Sequence, residues 1–206
     1  MNPLWSSRSN LGLAPGELNV AHTEVDTQVH GPGRRFAVWL QGCAIHCPGC
    51  WNKSMWPFSR QRIMTVEELV DKATQVTGLD GITVLGGEPV HQWEALLNLV
   101  KRVKAKGLTT VLYTGFELEE LEGTPVMNLL LEADITICGR YQQGQRSLSL
   151  QWRGSANQKI LAPKDGRMVE VPPQDGATEV EVRMSEEGVI SVMGFPDQDF
   201  LNEVLQ

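Results

Sequence analysis

Residues 35–50 have the sequence RFAVWLQGCAIHCPGC, in which a mostly apolar run passes directly into a loop with three cysteines. The apolar run, from Arg35 to Gln41, begins after Gly31-Pro32-Gly33 and ends at Gly42, and an apolar run bounded in this way is typical of a buried strand. The cysteines follow this strand at once, so we expect them at its carboxyl end. In α/β folds, that edge of the sheet carries the ligands.

Three more strands, separated by helices, are predicted after this stretch. The strands cover 81–85, 108–113 and 133–138, and the helices begin at Thr65, run from about Gln92 to Lys106 and, more weakly, cover 118–132. Thr65 and Glu68 have the spacing of a capping box at the start of the first helix. Strands that alternate with helices predict parallel strands joined by helical crossovers, and therefore an α/β fold.

The two ends of the chain differ from this central part. Residues 1–18 are polar and contain proline and glycine, which predicts a loose N-terminal arm. The central domain is expected over 19–161, and 162–206 form a C-terminal extension. Within the extension, 179–184 and 189–193 predict a β-hairpin, and a short helix is expected after Phe195.

Composition restricts the class of protein. The chain has 206 residues, 41% hydrophobic and 21% charged, which is typical of one folded domain. A formal charge of −7 argues against general nucleic-acid binding. The longest apolar runs, such as 129–131, are too short to span a bilayer, and the N-terminus lacks the pattern of a secretory signal. We therefore expect a cytoplasmic protein with reduced cysteines.

The cysteine loop has metal-ligand spacing. Cys43, Cys47 and Cys50 form a C-x3-C-x2-C pattern, which can hold three corners of a cubane iron–sulfur cluster. Such a cluster normally has four thiolate ligands, so one iron stays open unless Cys138 is the fourth. The alternative is a zinc site completed by His46, His30 or Cys138. Zinc sites usually combine two separated pairs of ligands, and this pattern is a single triplet.

A second short motif follows the predicted strand at 81–85. Gly86-Gly87-Glu88-Pro89 would let the backbone approach a ligand closely and present its polar groups at the strand end. Further along, residues 138–168 contain six basic residues and one acidic residue. This segment is either a solvated face or a surface that meets an anion in the site.

Together, these motifs resemble the radical S-adenosylmethionine superfamily, and more closely the activating proteins of anaerobic ribonucleotide reductase. The similarity covers roughly residues 19–161, and the run Trp152–Gln158 is the part most specific to the activating proteins. The other similar runs are Gly31–Arg34, Gln41–Cys43, Cys50–Trp56 and Tyr113–Phe116.

The resemblance implies a fold, cofactors and a reaction. The fold would be a partial (βα)6-type radical SAM barrel over 19–161. Cys43, Cys47 and Cys50 would hold a [4Fe–4S] cluster, and Gly86, Gly87 and Glu88 would bind the methionine end of S-adenosylmethionine. Reductive cleavage would give a 5′-deoxyadenosyl radical, which installs a glycyl radical on a partner enzyme, in this case anaerobic ribonucleotide reductase. A flavodoxin or ferredoxin type protein would supply the electron, with no nucleic acid or membrane involved.

The resemblance also implies cofactor-binding residues outside the two main motifs. These candidates are Trp51, Thr114, Arg140, Arg153, Ser155 and Asn157. The family usually has Asp-Gly-Lys where this chain has Cys138-Gly139-Arg140, and we expect Cys138 to be a buried thiol rather than a ligand. Two alternatives stay open: a radical SAM enzyme acting on a peptide or small molecule, and a non-catalytic zinc module. The extension over 162–206 could cap the barrel, bind a different partner or add an edge hairpin.

Overall fold

A computed structural model describes residues 12–147, 149–172, 179–196, 200 and 202–203. The helices are α1 (Val66–Gln75), α2 (Trp93–Lys104), α3 (Leu118–Leu121) and α4 (Met127–Glu132). The strands are β1 (Glu17–Thr27), β2 (Arg35–Leu40), β3 (Arg62–Thr65), β4 (Gly81–Gly86), β5 (Thr109–Thr114), β6 (Ile135–Cys138), β7 (Lys159–Lys164), β8 (Arg167–Glu170), β9 (Val180–Met184) and β10 (Ile190–Gly194).

Eight of these strands form one mixed sheet in the order β3-β1-β2-β4-β5-β6-β7-β8. The four central strands, β2, β4, β5 and β6, are parallel and are connected by helices, as the alternating sequence pattern predicts. The flanking strands on both sides run antiparallel to their neighbours. The α/β prediction is thus confirmed as a mixed α/β fold with a large mixed sheet.

Strand register brings the predicted motifs to one edge of this sheet. Leu40 of β2 pairs with Gly86 of β4, and Thr114 of β5 pairs with Cys138 of β6. Parallel strands all end at the same edge, so the cysteine loop after β2 and the Gly86–Pro89 turn after β4 lie side by side.

The helices cover one face of the sheet. Their buried apolar side chains form a single cluster with the side chains on that face of β2, β4 and β5, for example Phe36, Val38 and Leu112. The opposite face carries Ala37, Trp39 and Leu85. Every residue of β2 is buried, as expected for a parallel strand covered on both faces.

Local sequence signals explain where the helices begin and end. Thr65 accepts a hydrogen bond from the Glu68 amide, and the Glu68 carboxylate accepts one from the Thr65 amide, so the predicted capping box is present. The single helical stretch predicted over 118–132 is instead two short helices. Gly123 lies between them with a φ of 72°, and Pro125 follows it, so the chain cannot continue as one helix.

The terminal segments are described in part. The predicted hairpin is present as β9 and β10, which pair antiparallel outside the large sheet. β7 crosses the expected domain boundary at 161, and β8 continues the large sheet beyond it. Most of the N-terminal arm and of the expected C-terminal helix fall outside the described residues. In the part of the chain that the structure describes, no helix has the length and apolarity to cross a bilayer.

Candidate functional site

A cavity of about 550 Å³ opens at the carboxyl ends of the parallel strands. It brings together the two motifs that the sequence singles out, although they are separated by more than 30 residues. The candidate residues that line it are Cys43, Cys47, Cys50, Trp51, Gly86, Gly87, Glu88 and Thr114.

Backbone hydrogen bonds fix the cysteine loop against its neighbours. The amide of Cys43 donates to the Trp56 carbonyl at 3.0 Å, and the amide of Gly42 donates to the Met55 carbonyl at 2.8 Å. The Glu88 amide donates to the Gly42 carbonyl at 2.8 Å and so joins the loop to the Gly86–Pro89 turn. The start of the loop is therefore held by the segment that follows it in the chain and by the turn after β4.

The three loop thiols are free and face the cavity. Burial raises the pKa of Cys43 to about 11, and the backbone amides of His46 and Ile45, which face its sulfur, offset this only in part. Burial also raises the pKa of Cys47, against the opposing effect of the Tyr141 amide. Amides directed at cysteine sulfurs are a usual feature of iron–sulfur sites, where bound iron keeps the thiolates deprotonated.

The three donors of the cysteine loop are thiols, the usual ligands of an iron–sulfur cluster. Among the described residues, no three His, Cys, Asp or Glu side chains converge closely enough to chelate one metal ion. A cubane places each cysteine on a different iron, so its ligands need not converge. His46, a candidate fourth zinc ligand, stacks on Trp56 with ring centroids 4.6 Å apart.

The two glycines of the turn are required by close contacts. A Cβ on Gly86, which has a φ of 117°, would lie 2.5 Å from the Leu40 nitrogen. A Cβ on Gly87 would lie 2.5 Å from the Gly42 carbonyl oxygen. The turn can therefore pack on the cysteine loop only without side chains at these positions.

Glu88 joins the ends of β4 and β5. Its carboxylate accepts hydrogen bonds from the Gly115 amide at 2.7 Å, the Thr114 hydroxyl at 2.9 Å and the Val90 amide at 3.1 Å. Burial nevertheless raises the pKa of Glu88 to about 7. Glu88 thus places on the cavity wall a carboxyl group whose pKa lies near neutral pH. Its hydrogen bonds also fix the neighbouring backbone.

Trp51 has an exposed ring beside the cysteine loop. It is 45% exposed, and the Arg146 guanidinium carbon lies 5.3 Å from its ring centroid. An aromatic face that borders a cavity is suited to stacking on a heterocycle. The cofactor-binding role of Trp51 stays a prediction.

The remaining candidates lie in the loop between β6 and β7. Arg140, Arg153, Ser155 and Asn157 are not among the described residues that line the cavity.

Arg140 and Asn157 are engaged within the protein. The Arg140 guanidinium forms a bidentate pair with Glu120, with one contact at 2.8 Å, and the Asn157 side-chain amide donates to the Arg140 carbonyl at 2.8 Å. The bidentate pair lowers the pKa of Glu120 and raises that of Arg140.

Arg153 and Ser155 also have partners within this loop. The Arg153 guanidinium donates to the Gln158 carbonyl at 3.1 Å, and the Ser155 hydroxyl accepts from the Gln142 amide at 3.1 Å. The Arg153 Nε and the Asn157 Oδ1 are buried without a hydrogen-bond partner among the described residues. The cofactor-binding roles of all four residues stay predictions.

Cys138 is set apart from the other cysteines. Its side chain is fully buried in the apolar cluster on the helix-covered face of the sheet. Burial raises its pKa to about 12. It is not among the described residues that line the cavity, so its position fits a packing role.

The sequence does not predict several of the residues that line the cavity as cofactor-binding residues. Trp39 and Tyr141 line the cavity as single aromatic residues outside the motifs. Tyr113 also lines it, and although it begins the similar run Tyr113–Phe116, it is not among the predicted site residues. His30, which entered the sequence argument only as a possible zinc ligand, also lines it. Residues 191–196 of the C-terminal extension complete the wall, although nothing in their apolar sequence indicates a site.

Comparison with known proteins identifies the family of the chain. Residues 29–161 match the family described as a 4Fe-4S single cluster domain. The anaerobic ribonucleoside-triphosphate reductase-activating protein of Escherichia coli strain K12 is 33% identical over 140 residues, which cover 64% of this chain and 90% of that protein. The chain belongs to the family of anaerobic ribonucleoside-triphosphate reductase-activating proteins.

Other activating proteins of the same name show similar agreement. That of Vibrio cholerae is 37% identical over 142 residues and that of Enterobacteria phage T4 is 31% identical over 144 residues, each covering 90% of the relative. Among solved structures, QueE from Escherichia coli is similar over 48% of this chain and 52% of that chain, with 18% identity and a TM-score of 0.42. That similarity is too low to define the fold further.

Proposed function

We propose that the chain is a radical S-adenosylmethionine activase that installs a glycyl radical on anaerobic ribonucleotide reductase. One observation carries the proposal: three free cysteines and the Gly86–Glu88 turn border one cavity in a chain whose relatives are named for activating that reductase. The α/β sheet would form a partial (βα)6-type barrel around the cavity.

Cys43, Cys47 and Cys50 would hold a [4Fe–4S] cluster at the cavity wall and leave one iron without a protein ligand. When bound and reduced, the cluster supplies one electron that cleaves S-adenosylmethionine to methionine and a 5′-deoxyadenosyl radical, which takes a hydrogen atom from a glycine Cα. At Cys43, which is only 7% exposed, the protein limits the access of water to the cluster.

The Gly86–Glu88 turn would bind the amino acid part of S-adenosylmethionine. The absence of side chains on both glycines lets a ligand approach the backbone, whose polar groups can accept from an ammonium. Glu88 would act through its position, because it holds Gly115 and Thr114 beside the turn. Trp51 would stack on the adenine, and Arg140, Arg153, Ser155 and Asn157 would act from the neighbouring loop.

The partners follow from this chemistry. The substrate is a glycyl-radical enzyme, and the electron would come from a flavodoxin or ferredoxin type protein. The four free cysteines agree with a reducing cytoplasm as the place of action.

The test uses the protein purified without oxygen and reduced chemically. We expect it to form 5′-deoxyadenosine from S-adenosylmethionine and to produce a glycyl radical signal on the anaerobic reductase of the same organism in electron paramagnetic resonance. Cleavage without a radical on the reductase would favour a peptide or small molecule as substrate. Zinc in place of iron and sulfide would favour the non-catalytic alternative.

A further inference from the structure

The C-terminal hairpin supplies a wall of the cavity from outside the part of the chain that matches the 4Fe-4S domain. That match ends at residue 161, whereas residues 191–196 of β10 and the following turn line the cavity. The relatives align over 90% of their own length but over only about two thirds of this chain. The hairpin is therefore a feature of this chain that the shared domain does not explain.

Polar contacts anchor the hairpin to β1 on one side of the cavity. The Arg183 guanidinium of β9 donates to the Glu24 carboxylate at 2.6 Å and to the Val25 carbonyl at 2.7 Å. The Glu181 carboxylate accepts from the Thr27 hydroxyl at 2.8 Å. Several charge-assisted contacts between the same two strands fix the hairpin in one position.

A second set of contacts anchors the end of the hairpin to the loop before β7. The Arg146 guanidinium donates to the carbonyls of Phe195 and Pro196. The Phe195 ring lies close to Gly154, where a Cβ would come within 3.4 Å of it. Because β1 and β7 are the second and seventh strands of the sheet, the hairpin bridges two distant parts of the sheet across the cavity.

The inner side of this bridge is apolar, with one unsatisfied polar group beside it. Met193 is 7% exposed and belongs to the cluster of Trp39 and Leu85. The Phe195 ring meets His30 edge to face, with centroids 6.3 Å apart. His30 is 4% exposed, and neither of its ring nitrogens has a hydrogen-bond partner among the described residues.

We propose that the C-terminal hairpin is the surface that receives the partner's glycine-bearing loop. The inference rests on the proposed function, because the glycine Cα must enter the cavity in which the radical forms. Residues 191–196 carry no charge, so they fit a short uncharged backbone loop, and the Phe195 ring on the cavity wall offers that loop an apolar contact. Phe195 and Met193 would then determine which loop this activase accepts.

The test measures glycyl radical yield against reductase concentration. Phe195→Ala should raise the half-saturating reductase concentration about tenfold, because it removes an aromatic contact from the loop. Phe195→Leu should restore most of the affinity. Met184→Ala is the matched control, since Met184 lies on the same hairpin, is 74% exposed and is not among the residues that line the cavity.

Hydrogen exchange of the wild-type protein gives a second readout that needs no variant. Adding the reductase should slow exchange of the backbone amides of residues 191–195. Unchanged half-saturation in Phe195→Ala, or exchange of 191–195 that does not respond to the reductase, would overturn the proposal while the activase function stands. A wild-type protein that yields no glycyl radical on the reductase would overturn both.

Discussion

Cys43 and Cys138 are both buried thiols, but their surroundings give them different chemistry. Backbone amides face the sulfur of Cys43, and the cavity lies beside it. Cys138 packs among apolar side chains on the helix-covered face, where burial raises its pKa. It is not among the described residues that line the cavity. Only the first environment suits a thiolate that binds iron.

This difference predicts the outcome of two matched substitutions. Cys47→Ser should remove most of the cluster, because three thiolates are the fewest that can hold a cubane and leave one iron open. Cys138→Ser should keep nearly all of it. Iron and acid-labile sulfide are measured after reconstitution without oxygen. Loss of the cluster in Cys138→Ser would make Cys138 a ligand and exclude an open iron.

Glu88 makes stability depend on pH. Its pKa is raised to about 7 from 4.5 by burial, so the native state holds this proton more tightly than the unfolded state. The free energy of unfolding should therefore fall as the pH rises from about 4.5 to about 7 and level off above that range. The full shift corresponds to at most roughly 3 kcal/mol.

Urea unfolding of the cluster-free protein at about pH 5 and about pH 7.5 measures this contribution. Glu88→Gln should lose much less stability between the two conditions than the wild type. Glu186→Gln, an exposed carboxyl of the β9–β10 turn, controls for the loss of one negative charge. An equal loss in Glu88→Gln and wild type would show that Glu88 titrates normally.

At the scale of elements, the site depends on how closely two loops approach. The turn after β4 packs on the loop after β2, so closely that a Cβ on Gly87 would lie within 3 Å of the backbone of Gly42 and Met55. Backbone atoms cannot move aside as flexible side chains can. Any side chain at Gly87 must therefore push the turn away from the cysteine loop.

Gly87→Ala should accordingly destabilise the protein by about 1–3 kcal/mol and weaken cluster retention. Gly144→Ala is the control, because a Cβ there would meet nothing within 4 Å. Its effect should stay within about 0.5 kcal/mol. Denaturant unfolding and iron content after gel filtration provide the comparison. A Gly87→Ala protein as stable as Gly144→Ala would mean that the two loops are not in contact.

The elements also show which parts of the fold the sequence could reveal. β2, β4, β5 and β6 are short apolar runs, because both of their faces are covered, and all four were predicted. β1 was missed because exposed positions and two irregularities in its pairing interrupt the alternation that marks a strand. The sequence does not predict β7 and β8, since Pro163 lies within β7 and proline is unusual inside a strand.

The sequence reveals one part of the candidate site and not the rest. The cysteine and Gly86–Glu88 motifs are contiguous, so their spacing alone indicates chemistry, and the fold places both on one cavity. The contribution of 191–196 depends on how the hairpin docks through Arg183 and Arg146, which only the three-dimensional structure reveals. His30 is distinguished only by burial without a hydrogen-bond partner.

At the scale of the molecule, the eight-stranded sheet positions both the helices and the cavity. Helices cover one face, while the other face carries the cavity and is bridged by the C-terminal hairpin. In the proposed function, the cluster ligands and the turn that binds S-adenosylmethionine would come from the strand ends, and the wall for the substrate would come from the extension. Reductive cleavage and hydrogen abstraction would thus take place within one cavity.

The proposed reaction requires that the radical formed in this cavity takes its hydrogen directly from a glycine of the reductase. Reductase labelled with deuterium at its glycine Cα positions tests this step by mass spectrometry of the 5′-deoxyadenosine formed during activation. We expect 5′-deoxyadenosine that carries one deuterium, in proportion to the glycyl radical produced. Unlabelled 5′-deoxyadenosine beside a full glycyl radical signal would contradict it.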